Sequence, residues 1–334
     1  MGRIGMMLKN GGGAGADLLG RAELANSLMF LTRGQPVVYY GDEQGFTGPA
    51  SGFDDKRARQ DMFDSKTPIY QDDVLVGSSK PAGTAAHYDT SAPLYRQIKA
   101  LSALRAANPA LADGAQVHRY ASDAAGIYAI SRIDKAAKRE YVVVANNATT
   151  AKTATFSTYS AGSKLVPLLG ATSDLRAAAD GRVTVTVPPL SVAVYRANST
   201  MAQPKSAPAI YPTSPSAGGV VGGRAEIGAA LPGNTFAEVT FLQRPVGTSA
   251  WTPIGTDDNA PYRVFHDVSG LAKGTLVEYR MVAKDLAGHV SATSTYGIVG
   301  EPTTAGSSGS GGGVGPVTQP DNVSVPGSHN SEMG

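Results

Sequence analysis

Acidic side chains crowd one stretch of the chain: Asp42, Glu43, Asp54, Asp55, Asp61 and Asp64, with Arg57 and Arg59 interspersed. Ionised Asp accepts hydrogen bonds and Arg donates in a planar fork, so the group suits a neutral, hydroxyl-rich ligand. The same mixture of charges also describes an ordinary solvated loop. Other chemistry is sparse. The 5 histidines, at positions 87, 118, 266, 289 and 329, include no pair at the spacing of a metal-binding helix. Neither a Gly-x-Ser-x-Gly elbow nor a Gly-x-x-x-x-Gly-Lys phosphate loop occurs. Gly11-Gly-Gly-Ala-Gly precedes a helical pattern but follows no recognisable strand, which is the wrong context for a nucleotide loop. The absence of cysteine removes disulfides, thiolate metal sites and cysteine nucleophiles together.

These side chains need elements to hold them. Ala22, Leu24, Ala25, Leu28, Met29 and Leu31 recur at helical spacing and predict a helix over about 20–33, stopped by Gly34. After Gln35-Pro36, the run Val37-Val-Tyr-Tyr is apolar without alternation, as in a strand buried on both faces of a parallel sheet. Gly41-Asp-Glu-Gln-Gly ends it. The acids therefore fall at the carboxyl end of that strand and in the long loop 46–90, the edge where open α/β sheets and (β/α)8 barrels bind ligands. A second helix has Ser91 as its N-cap, Pro93 in its first turn, and an apolar stripe of Leu94, Ile98, Leu101 and Leu104 before Asn108-Pro109.

From about 111 the period changes to alternation. Gly126-Ile-Tyr-Ala-Ile-Ser-Arg, Glu140-Tyr-Val-Val-Val-Ala-Asn-Asn, Arg182-Val-Thr-Val-Thr-Val and Ser191-Val-Ala-Val-Tyr-Arg predict strands of an antiparallel sandwich. A Pro/Ser-rich linker precedes a second such module, with strands at Glu238-Val-Thr-Phe-Leu, Trp251-Thr-Pro-Ile, Tyr262-Arg-Val-Phe and Val277-Glu-Tyr-Arg-Met-Val. This module resembles an immunoglobulin-like or fibronectin type III sandwich, although Val277 stands where the tyrosine of the corner would fall and Tyr279 comes two residues later. Trp251, the single tryptophan, is the one candidate for stacking on a flat ligand face, against a role in core or turn packing. Gly306-Ser-Ser-Gly-Ser-Gly-Gly-Gly reads as a flexible tether.

Length and composition agree with several modules. A chain of 334 residues allows two or three domains, and 40 Gly with 21 Pro suit β-rich modules joined by loops. A net charge of +2 supplies no field of one sign for nucleic acid or an anionic membrane. No apolar run is long enough to cross a bilayer as a helix. The first residues lack the order of a signal peptide.

Leu31-Thr-Arg-Gly-Gln-Pro-Val-Val-Tyr-Tyr-Gly-Asp-Glu-Gln-Gly resembles the end of helix 7 and strand 8 in the α-amylase superfamily of retaining glycoside hydrolases (family 13). Met1-Gly-Arg-Ile-Gly resembles the residues just after the family's Asn-His-Asp motif at strand 7, Arg57-Ala-Arg-Gln-Asp-Met-Phe-Asp its segment after strand 8, and Pro93 to Leu111 its helix 8. Val323-Ser-Val-Pro-Gly-Ser-His-Asn-Ser-Glu-Met-Gly resembles the opening of a β-module of amylopullulanases. The resemblance implies a mixed fold, the C-terminal fragment of a (β/α)8 barrel followed by two antiparallel β-sandwich domains. Its parts are the barrel fragment 1–110, an all-β domain 111–197, a linker 198–219, an Ig-like or fibronectin-like spacer module 220–299, a Gly/Ser linker 300–320 and the start of a further module at 321–334.

That resemblance also sets functional expectations. The parent would be a secreted, extracellular bacterial enzyme acting on α-glucosidic bonds of starch-like glucans. Its catalytic carboxylates come from strands 4, 5 and 7, upstream of Met1, so no catalytic residue and no activity are expected of this chain alone. Asp55 and Arg59, four residues apart, match the pair that holds a glucose on the non-reducing side of the cut; Arg3 and then Glu43 join them as substrate-binding candidates. No metal ligand or cofactor is expected in this chain, and any calcium would belong to the rest of the parent. Expected partners are an α-glucan and the remainder of its own polypeptide, not nucleic acid or membrane. Two rivals stay open: a non-enzymatic carbohydrate-binding or adhesive protein, and a small complete enzyme using the loop acids.

Overall fold

The computed structural model describes residues 3–13, 15–48, 55–71, 74–78 and 85–300. Asp54, the Gly/Ser tether at 306–313 and the stretch 321–334 lie outside the described residues. Helices α1 (Ile4–Asn10), α2 (Gly15–Leu31), α3 (Pro93–Ala107) and α4 (Ala110–Asp113) come first. α2 starts inside the glycine run rather than at 20 and ends at Leu31, with Gly34 at a positive φ of 125° just beyond. Pro93 opens α3 as expected, but its N-cap is Ala92, not Ser91. The Ser91 hydroxyl instead donates to the Asp89 carboxylate at 2.6 Å, in a local turn that occupies it.

The strand expected at Val37–Tyr40 does not form. Val37 is 74% exposed, and Tyr39 and Tyr40 are 40% and 41% exposed. A strand exists only where a second backbone pairs with its N–H and C=O groups, and no described strand pairs with this one. A 3-10 turn, Asp42–Gln44, comes directly after it.

The first β-module contains β1 (Ala115–Ala121), β2 (Ile127–Asp134), β3 (Arg139–Asn146), β4 (Lys152–Ser157), β5 (Lys164–Leu169), β6 (Leu175–Arg176), β7 (Arg182–Val187) and β8 (Ser191–Ala197). One sheet runs β1-β2-β3-β8-β5-β6 with antiparallel neighbours, and the β4-β7 ribbon faces it. Ile127, Val142, Val144, Phe156, Val185 and Tyr195 fill the space between them. The opposite face of the sheet is covered too. Leu24, Phe30 and Leu31 of α2, Leu101 of α3 and Leu111 of α4 pack on Ile130, Val143 and Val194. Strand β3 is therefore buried from Glu140 to Asn146 and does not alternate as a two-layer sandwich requires. Glu140 is tolerated there because Arg119, the Ser131 and Ser160 hydroxyls and the Tyr159 N–H all donate to its carboxylate.

The second β-module contains β9 (Tyr211–Ser214), β10 (Gly219–Val221), β11 (Arg224–Ala230), β12 (Ala237–Pro245), β13 (Thr252–Asp257), β14 (Tyr262–Asp267), β15 (Leu276–Asp285) and β16 (Val290–Val299). Its sheets run β10-β16-β15-β12-β13 and β14-β11-β9, with only β10 and β16 parallel. Ile227, Phe241, Tyr262, Tyr279 and Met281 lie between them. Part of the expected linker 198–219 belongs to this module: Tyr211–Ser214 is strand β9, and the neighbouring Ile210 is in the core. Trp251 is half-buried, with the Arg244 guanidinium 4.4 Å from its ring centroid and Arg280 at 5.8 Å. Among the described residues the chain is mostly sheet, and no sheet closes into a barrel.

Candidate functional site

The segment between α2 and α3 is held by side chains rather than by a ladder. Arg3, 2% exposed and one residue before α1, reaches across it. Its Nε donates to the Ala58 carbonyl at 2.5 Å, and its Nη1 to the Tyr40 carbonyl at 2.7 Å and Asp42 Oδ1 at 2.9 Å. Its guanidinium lies 4.8 Å, 5.0 Å and 5.1 Å from the ring centroids of Tyr39, Tyr40 and Phe46. One cation thus ties the exit of the apolar run to the loop carrying residues 55–60. Burial pushes the Asp42 carboxyl up from its ordinary value, and the hydrogen bond and charge of Arg3 pull it back only in part.

Neighbouring contacts complete the frame. Gln44 bonds the Asp89 backbone in both directions, Nε2 to its carbonyl at 3.2 Å and Oε1 from its N–H at 3.0 Å. The Gly48 N–H donates to buried Gln60 Oε1 at 3.0 Å. Gly45 stands at a φ of 88°, and a Cβ there would meet the Val76 carbonyl oxygen at 2.4 Å. Only glycine lets residue 76 come close enough for its N–H to reach the Gly45 carbonyl at 2.7 Å. His87 packs edge-on against Phe46, with ring centroids 5.1 Å apart.

Asp55 and Arg59 form an ion pair, Nη2 to Oδ2 at 2.5 Å, with side chains 49% and 62% exposed. The surface presented here combines a carboxylate, a guanidinium and the exposed rings of Tyr39 and Tyr40. The hydrogen bond and charge of Asp55 hold the Arg59 guanidinium pKa above its ordinary value. Arg3 is brought to the same place but faces inward. Glu43 is half-buried and makes no hydrogen bond or ion pair among the described residues. Asp61 is half-buried and Asp64 exposed. Among the described residues no three His, Asp or Glu converge as metal ligands.

Two features of the site have no signal in the sequence. The pairing of Arg3 with Asp42 spans 39 positions and leaves no local pattern. An unbroken apolar run signals burial and so places Tyr39 and Tyr40 in a buried strand; their exposure depends on what lies alongside. In chemical terms the arrangement offers hydrogen bonds to neighbouring hydroxyls and flat faces for C–H surfaces, which together suit a pyranose.

No protein-family model matches the chain. By sequence it is similar to an alpha-amylase of Streptomyces lividans, 48% identical over 294 residues, a match covering 87% of this chain and 31% of that protein. It is similar over 106 residues to a cyclomaltodextrin glucanotransferase of Paenibacillus macerans, 29% identical, covering 32% of this chain and 11% of the other. Among solved structures, an Anoxybacillus alpha-amylase aligns with a TM-score of 0.44 at 19% identity, over 61% of this chain and 37% of that one. The chain spans 31% of the length of the Streptomyces protein that it matches.

Proposed function

We propose, from the premise that this chain belongs to the α-amylase superfamily, that it is part of a secreted, retaining α-glucan hydrolase and supplies one wall of the sugar cleft. In this reading residues 1–110 are the last part of the catalytic barrel, carrying the exit of its strand 8 and the loop beyond. Hydrolysis with retention uses two carboxyl groups about 5–5.5 Å apart, one forming a glycosyl intermediate and the other acting as acid and then base. No residue of this chain matches the family motifs that carry those groups. The chain therefore holds sugar and does not break the bond, and it is inactive by itself.

The observation that carries the reading is the exposed Asp55–Arg59 pair in the loop that Arg3 ties, through the Ala58 and Tyr40 carbonyls, to the segment exposing the rings of Tyr39 and Tyr40. The carboxylate would accept from one sugar hydroxyl and the guanidinium donate to its neighbour, while a tyrosine ring covers the less polar face of the pyranose. Arg3 acts one layer behind, anchoring Tyr40, Asp42 and Ala58 so that the exposed groups keep their spacing. Glu43 shapes the turn after Tyr40 and is the second choice for contact with sugar.

In the complete enzyme, Asp55→Ala should raise KM for malto-oligosaccharides about tenfold, the effect of removing one charge-assisted hydrogen bond, or change the lengths of the products. Unchanged kinetics together with an unchanged product pattern would remove Asp55 from the cleft.

A further inference from the structure

Three arginines meet at the C-terminal end of α2. Arg105 donates from Nη1 to the carbonyls of Phe30 at 2.5 Å and Leu111 at 3.0 Å, and from Nη2 to Gly34 at 2.8 Å. Arg132, fully buried in β2, donates to Leu31 at 3.4 Å, Ala112 at 3.1 Å and Gly114 at 2.9 Å. Arg33 comes just after the helix. The unpaired carbonyls and negative dipole of a helix end attract cations, but three of them also repel one another. Burial and the charges of Arg105 and Arg33 lower the Arg132 pKa to about 10, while Asp258 and Asp113 oppose that shift.

Asp258 belongs to the second β-module, 225 positions from Arg33. Its two carboxylate oxygens accept from Arg33 Nη2 at 2.6 Å and 2.8 Å. The adjacent Asn259 side chain accepts from the His118 N–H of β1 at 2.8 Å. The junction continues beyond this loop. Phe236 packs with Val117, Ile133 and Met201 and meets Tyr159 edge-on, and Lys135 pairs with Glu238 at 2.7 Å. An apolar centre with a polar rim is the anatomy of a lasting interface.

We infer that the second β-module is a fixed buttress of the helical layer, docked through the loop 257–259, in which Asp258 supplies the counter-charge for the arginines at the end of α2. The module is then not a spacer on a flexible linker. Its docking sets the position of Gly34, and through it the start of the segment that carries Tyr39 and Tyr40. The inference holds whether or not that segment binds sugar.

Hydrogen exchange on the full 334-residue chain tests it, with D258N, R33Q and the double variant. D258N keeps the shape and removes the charge. It should speed exchange at Leu31, Arg33 and His118 about tenfold while leaving the β15–β16 ladder unchanged, a local coupling of the size found between contacting residues. The double variant should loosen these amides less than D258N alone, because R33Q also removes a repelling cation. Raised salt should weaken the wild-type protection at the same amides. Unchanged exchange in D258N would overturn the proposal. So would acceleration spread evenly over the whole chain, or effects in the double variant that simply add.

Discussion

At the scale of single residues, the contrast between Arg3 and Asp55 is the most informative. The family resemblance implies that both are substrate contacts, yet Arg3 is buried against Asp42 while Asp55 is exposed. A buried guanidinium that holds two carbonyls and a carboxylate organises its surroundings, and a lysine at that position could not bridge all three acceptors. Replacing Arg3 by Met would leave the half-buried Asp42 carboxylate without its cation. The expected loss is about 3–5 kcal/mol, read as a lower denaturant midpoint with an unchanged m-value. A midpoint that does not move would mean that water already solvates this pair. Residue types thus mark the polar cluster as a place of interest. Which members face outward depends on contacts such as Arg3 with Ala58, across 55 positions, which no local pattern encodes.

Among the elements, β2, β3, β7, β8, β12, β13, β14 and β15 follow from alternation or unbroken apolar runs, the other strands carry no comparable signal, and Val37–Tyr40 pairs with no described strand. The pairing of β14 with the opposing sheet carries a titratable group. His266 on β14 faces Tyr279 on β15, Nδ1 to hydroxyl at 3.1 Å, with the rings edge-on at 5.7 Å. Burial raises the Tyr279 pKa to about 12. Burial also lowers the His266 pKa from 6.5, with Asp267 opposing the shift. The unfolded chain therefore binds a proton at this position more readily than the folded one. Its contribution to stability is complete above pH 6.5 and is lost as pH falls from there toward the folded value. H266Q keeps a hydrogen-bonding side chain without the titration. Urea unfolding measured from about pH 7.5 to about pH 5 should give a shallower acid decline for H266Q than for the wild type, and equal declines would assign it to other groups.

Taken whole, the molecule is layered: helices on one face of the six-stranded sheet, the β4-β7 ribbon on the other, and the second β-module against its edge. Leu24, Phe30, Leu31 and Leu101 have their apolar cover in strands beyond residue 110. Residues 1–110 expressed alone should therefore give a poorly dispersed amide spectrum and no cooperative melt, because that cover supplies the hydrophobic driving force for the helices. A dispersed spectrum with a sharp transition would show that the piece carries its own core. The sequence by itself determined the periods of α2, α3 and strands such as β2, β3 and β15, the acidic and basic loop and the superfamily, since each rests on residues close together in the chain. Tertiary structure alone decided that Arg3 turns inward, that Tyr39 and Tyr40 are exposed, that β3 is covered on both faces and that Asp258 meets Arg33. Those outcomes depend on which distant surfaces come together, because burial and charge pairing belong to neighbours in space and not to neighbours in sequence.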